Sequence, residues 1–160
     1  MSTNNLFVFV AAYDDEADAR FDLETFYELA LVGVVGKYDT AILTKSEDGK
    51  VHVEKHGTAT KSGAWKGAIA GGLVGLLFPP SILVGSLVGG ASGGLVGKLW
   101  GGMSRANLKE IGEALDEHET GLVIVGESTV GEFVEKALKK AKKRVRKELK
   151  ATLKDIEREL

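Results

Sequence analysis

The side chains able to do chemistry are few. His52 and His56 lie four residues apart in a stretch of strand character, so they share one face, while His118 stands alone. A closed structural metal site needs about four ligands, and no histidine here has metal-type spacing with another or with a carboxylate pair, so a surface role is the expectation. The run Asp14-Asp15-Glu16 could attract a divalent cation, but acids at the start of a helix are explained by its dipole. No GxxxxGK[ST] loop and no nucleophile elbow occur. The Gly-x-Gly patterns do not follow a strand in a βαβ unit and are not a dinucleotide fingerprint. No catalytic residue, metal, cofactor or small-molecule substrate is expected.

Charge is more informative than motif. The net charge is −2, yet Lys136–Lys150 holds nine bases and one acid, and the stretch from Asp14 to Glu28 is acidic. Lys139, Lys140, Lys142, Lys143, Arg144, Arg146 and Lys147 form the basic cluster. Three readings fit it: a solvated coiled-coil face, attraction to anionic lipid headgroups at roughly 1 kcal/mol per base, or nucleic acid. Nucleic acid is not expected, because no aromatic interleaves with the bases and the net charge is negative. The acidic first helix offers the cluster a docking surface, within the chain or between subunits.

These groups need a frame. Leu6–Tyr13 is a short apolar run, read as a first strand; Asp14 is the expected N-cap of a helix to about Val32, with Ala19, Leu23, Phe26, Tyr27 and Ala30 on one face. Tyr38–Lys45 and Lys50–Lys55 read as strands joined by SEDG, with Asp48-Gly49 as the hairpin signal. Arg105–Glu117 reads as a helix and Thr120–Gly126 as a buried strand. From Val130 to Leu160, apolar residues at Val134, Leu138, Ala141, Val145, Leu149, Leu153, Ile156 and Leu160 step by three and four, which predicts one long basic helix. The order is that of an α+β, ferredoxin-like βαββαβ sandwich over 1–60 and 103–128, with an insertion at 61–102 and a C-terminal helix at 129–160. Cysteine is absent, which excludes disulfides and thiol chemistry. No basic residue precedes the first apolar run and acids follow it, which argues against a signal peptide.

The insertion carries the functional argument. No charge occurs from Gly67 to Gly97, and Trp65, Lys66, Lys98 and Trp100 bound the segment like a membrane-interface belt. Pro79-Pro80, after Phe78, must interrupt any helix, so two arms with a tip at 78–80 are expected. Gly63, Gly67, Gly71 and Gly75 recur every four residues on one arm, as do Gly85, Gly89, Gly93, Gly97 and Gly101 on the other. Each glycine costs a helix roughly 1 kcal/mol against alanine, a penalty offset where backbones pack closely, as in lipid. The arms are short for two full crossings of a hydrocarbon core about 30 Å thick. Dipping into one leaflet, crossing a thinned bilayer and forming the core of a soluble oligomer all remain open readings.

In combination, FVFVAAYDDEADA, EDGKVHVEKHGTAT, GAWKGAIAGGLVGLLFPP and LKEIGEALDEHETGLVIV resemble an uncharacterised bacterial and archaeal family described only as predicted membrane proteins with a domain of unknown function. The resemblance covers roughly Leu6 to Glu127; the long basic C-terminal seam departs from it. It implies a glycine-zipper hairpin within a ferredoxin-like frame, membrane association and no established catalysis. The expectation is a non-enzymatic homo-oligomer at the cytoplasmic membrane, both termini cytoplasmic, acting as a scaffold or remodelling assembly. A pore former and an anchored ligand-binding module or enzyme are the alternatives.

Overall fold

The computed structural model describes residues 5–32, 38–56, 73, 77–78, 83–85 and 103–152. Its elements run β1 (Asn5–Tyr13), α1 (Glu16–Val32), β2 (Tyr38–Lys45), β3 (Val51–His56), β4 (Leu83–Gly85), α2 (Arg105–Asp116), β5 (Thr120–Gly126), α3 (Val130–Ala137) and β6 (Lys143–Thr152). The protein is α+β. Five strands form an antiparallel sheet, and β4 adds to it in parallel beside β3, in the order β4-β3-β2-β5-β1-β6.

Local chemistry explains the element ends. Asp15, not Asp14, starts α1: its Oδ1 accepts the Ala17 N–H at 2.8 Å. Ser104 does the same for α2, accepting from Asn107 N at 3.1 Å. Gly49 turns the β2–β3 hairpin at φ 82°, in the left-handed region that glycine enters without steric cost.

Both faces of the sheet are covered. On one, α1 and α3 bury Phe9, Tyr13, Phe26, Ile42, Leu122 and Ile124. On the other, α2 covers Val8, Val10, Leu43, Val123 and Val125. All seven residues of β5 are buried, which is why TGLVIVG lacks alternation. Gly121 permits the close approach of α2: a Cβ there would lie 2.4 Å from Leu115 Cδ2 and 3.2 Å from Leu43 Cγ.

Two expectations require correction. First, no continuous helix runs from Val130. Helix α3 ends at Ala137, Leu138 leaves helical geometry at φ −87°, ψ 58°, and the chain returns as a ten-residue strand. The misreading has a physical cause. A spacing of four, as between Val145 and Leu149, satisfies a helical face and a strand face equally. The alternation decides between them: Val145 and Leu149 are buried, while Arg144, Arg146 and Glu148 are exposed. Residues 129–152 are thus integral to the sheet, through α3 and β6.

Second, the expected βαββαβ unit over 1–60 and 103–128 does not account for the whole sheet, which also includes β6. Strand β1 pairs with β5 and β6, and β2 lies between β3 and β5. Strands β1 and β2 therefore run parallel with β5 between them, and β5 and β6 run parallel with β1 between them. The connections across these gaps are α1 and α3.

Candidate functional site

Of the residues expected to pack a glycine zipper, Gly63, Gly67, Gly71, Gly75, Gly89, Gly93, Gly97 and Gly101 lie outside the described residues, as do Trp65, Lys66, Lys98, Trp100, Pro79 and Pro80. Gly85 does not stand on a helix; it closes β4, opposite Val53. The described part of the first arm packs on the chain's own sheet. Leu73 is fully buried with Leu43, Val53 and Ile111, and Leu77 and the expected tip residue Phe78 are half-buried against the same cluster. Leu77 approaches α2, where a Cβ on Gly112 would sit 3.8 Å from its Cδ2. Among the described residues no helix is long and apolar enough to cross a membrane.

The basic cluster from Lys139 to Lys147 is described, and the structure divides it. Lys140 meets the first helix: its backbone N–H donates to Asp22 Oδ2 at 3.0 Å, while its exposed side chain puts Nζ 3.8 Å from Asp18 Oδ1 and 4.5 Å from the Phe21 ring centroid. The acidic helix does dock the basic segment, within one chain. Lys142 donates its N–H to the Ala12 carbonyl, and Lys143 pairs with Ala12 at the start of β6. Lys147 reaches across to Glu110 Oε2 of α2 at 2.5 Å. Lys139 is exposed. Arg146 lies over the rings of Phe7 and Phe9, 4.5 Å and 5.3 Å from their centroids. Arg144 and Arg146 share one side of β6 and line a groove of about 490 Å³ with Phe9, Val134, Glu135 and Leu138.

A buried polar junction ties these parts together. Asp22 is 1% exposed and accepts the Tyr13 hydroxyl at 2.8 Å. Burial pushes the Asp22 carboxyl above the usual carboxylate range; the bonds from Tyr13 and the Lys140 amide oppose that shift. Burial, then the bond to Asp22, pushes the Tyr13 phenol up as well. Nearby, Tyr27 shares a hydrogen bond with Thr40 and is pushed up to about 12 by burial. Sequence reasoning missed the junction, although a signal was present: Asp22 falls on the Ala19-Leu23-Phe26 stripe, where an acid must be buried and satisfied.

Near the first turn, His118 and the acids form local pairs. His118 Nδ1 lies 2.8 Å from Asp14 Oδ1, and Glu16 holds Arg20 at 3.1 Å. Among the described residues no group of three or more metal-ligating side chains is assembled.

The comparisons with known proteins bear on the part of the chain that contains the groove. A family model described as protein of unknown function (DUF1269) matches residues 64–159. The chain belongs to this family. The match covers more than half of the sequence and includes α2, β5, α3 and β6, so the C-terminal region that seemed to depart from the resemblance lies inside the DUF1269 segment. No curated protein and no solved structure matches the chain. The DUF1269 segment supplies Val134, Leu138, Arg144 and Arg146 to the groove, and the preceding β1 supplies Phe9.

Proposed function

We propose that this DUF1269 protein is a non-enzymatic assembly protein. Its ferredoxin-like frame carries the glycine-rich segment between β3 and α2, through which copies associate with one another at a bilayer. The sequence observation that carries this reading is the charge-free stretch from Gly67 to Gly97, with glycine recurring every four residues. The frame reading rests on two crossover units, β1-α1-β2 and β5-α3-β6, whose strands interleave as β2-β5-β1-β6, the order of a ferredoxin-like sandwich. The frame's elements thus differ from those first expected: β5 takes the place of the third strand and α3 that of the second helix. Leu73, Leu77, Phe78 and β4 hold part of the segment against the frame, so association involves the remainder of 57–102.

The test is to fractionate expressing cells, extract the pellet with alkaline carbonate and separately with detergent, and measure particle mass by light scattering. The reading expects release by detergent, retention in carbonate, and a particle of several subunits. Gly71→Leu combined with Gly89→Leu, which fills both ladders, should reduce that mass to the monomer. A monomer found in the soluble fraction from the outset contradicts the reading. A soluble particle of several subunits keeps the assembly and removes the bilayer.

A further inference from the structure

Two bases of the C-terminal run form ion pairs. Lys140 meets Asp18 and Phe21, and Lys147 meets Glu110. Arg144 and Arg146 have no carboxylate within ion-pair distance among the described residues, and of the described bases only these two line the groove beside α3. Standing two apart on β6, they project from the same side of the strand with a backbone separation of about 7 Å. Both line the groove between β6 and α3, where their two positive charges face the single negative charge of Glu135.

Arg146 is positioned before any ligand arrives. Its guanidinium is held over Phe7 and Phe9, and α3 presents Gly131 to it so closely that a Cβ there would lie 3.4 Å from Nη1. A planar guanidinium with a fixed plane offers paired N–H donors in the geometry that phosphate oxygens accept. A second guanidinium two residues away can meet oxygens on another side of the same tetrahedral anion. The groove volume of about 490 Å³ falls in the range of small-molecule sites and admits the ester body as well as the phosphate.

We propose that Arg144 and Arg146 form a binding site for a phosphate monoester, with the rings of Phe7 and Phe9 fixing the orientation of Arg146. The phosphate can belong to a free metabolite or to a lipid headgroup, and two arms of one experiment separate these sources. The full chain is titrated calorimetrically with glycerol 3-phosphate at low salt, and its flotation is measured with phosphatidic acid vesicles against phosphatidylcholine vesicles. Saturable binding is expected in at least one arm. Arg144→Gln should weaken it at least tenfold, the scale of a charge-assisted hydrogen bond, while Lys136→Gln should leave it within twofold. Arg144 is exposed, so its truncation leaves the core intact; an unchanged circular dichroism spectrum verifies this. Lys136 is an exposed base of α3 outside the groove lining and controls for general charge attraction.

Binding of glycerol 3-phosphate assigns a soluble ester, and binding confined to phosphatidic acid vesicles assigns a headgroup. The proposal is overturned by an absence of binding in both arms, by binding that Arg144→Gln leaves unchanged, or by equal weakening in Arg144→Gln and Lys136→Gln. These results are independent of the assembly reading, because neither substitution touches residues 57–102.

Discussion

Tyr13 and Asp22 face each other across the contact between β1 and α1, hydroxyl to carboxylate at 2.8 Å, with 0% and 1% of their surfaces exposed. The same carboxylate oxygen receives the Lys140 amide, so one atom joins the first strand, the first helix and the loop that leads into the last strand.

Asp22 gives stability a pH dependence of defined sign. Its folded-state pKa lies above the unfolded one, so the protonated carboxyl favours the fold. The contribution is full below the ordinary carboxylate range and declines as pH rises through the raised value. Asp22→Asn removes the ionisation and keeps an oxygen to accept both bonds. Thermal melts from pH 3 to pH 8 should therefore show the variant gaining on the native protein as pH rises.

Tyr13→Phe tests the other partner. Losing the hydroxyl takes one of two hydrogen-bond donors from a buried carboxylate, at a cost of about 1–3 kcal/mol. The loss should be larger at pH 8 than at pH 4, because the ionised carboxylate depends most on its donors. Urea titrations at the two pH values check this ordering.

Leu73 measures how firmly the glycine-rich segment is tied to the frame. A fully buried leucine truncated to alanine costs about 2–5 kcal/mol, so Leu73→Ala should lower the urea midpoint substantially. An unchanged midpoint would mean that this stretch of chain leaves the core in solution.

Gly121→Ala should be costly despite its small size. The added methyl meets Leu115 and Leu43, both fully buried, so the packing of α2 on β5 must shift. Overpacking of this kind costs about 1–3 kcal/mol, measurable by chemical denaturation.

The strand at the C-terminal end can be tested by charge exchange. Lys147→Glu sets a carboxylate beside Glu110 and should destabilise by up to about 1 kcal/mol, since the pair is partly exposed. Adding Glu110→Lys should restore most of the loss. A continuous helix from Val130 would show no such coupling.

Much of the frame was legible because single signals agreed. Asp48-Gly49 between two strand-like runs marked the β2–β3 hairpin, and the Ala19-Leu23-Phe26 stripe marked α1. The end of the chain was not legible by spacing, because Val145 and Leu149 suit both periodicities. The exposed Arg144 and Arg146 around Val145 were the better guide. Strand pairing was hidden for a different reason. Insertion of β5 between β1 and β2 is a contact between residues about eighty apart or more in sequence, and no local pattern encodes it. The groove followed the same logic, since Phe9 and Arg146 meet only because β1 and β6 are neighbours.

The interleaving of strands has a consequence for how this polypeptide is made. When the chain has left the ribosome as far as His56, β1 and β2 still lack the partner that belongs between them, and β5 is not complete until Gly126. For that interval the nascent chain presents apolar strands with open edges, the condition under which chains aggregate or recruit chaperones. Native pairing must close over long sequence separations, so folding is expected to be slow for a chain of this size. A cut anywhere between β3 and α2 would leave two pieces that complete one sheet only by threading their strands alternately, which makes the protein a natural candidate for split-fragment reconstitution.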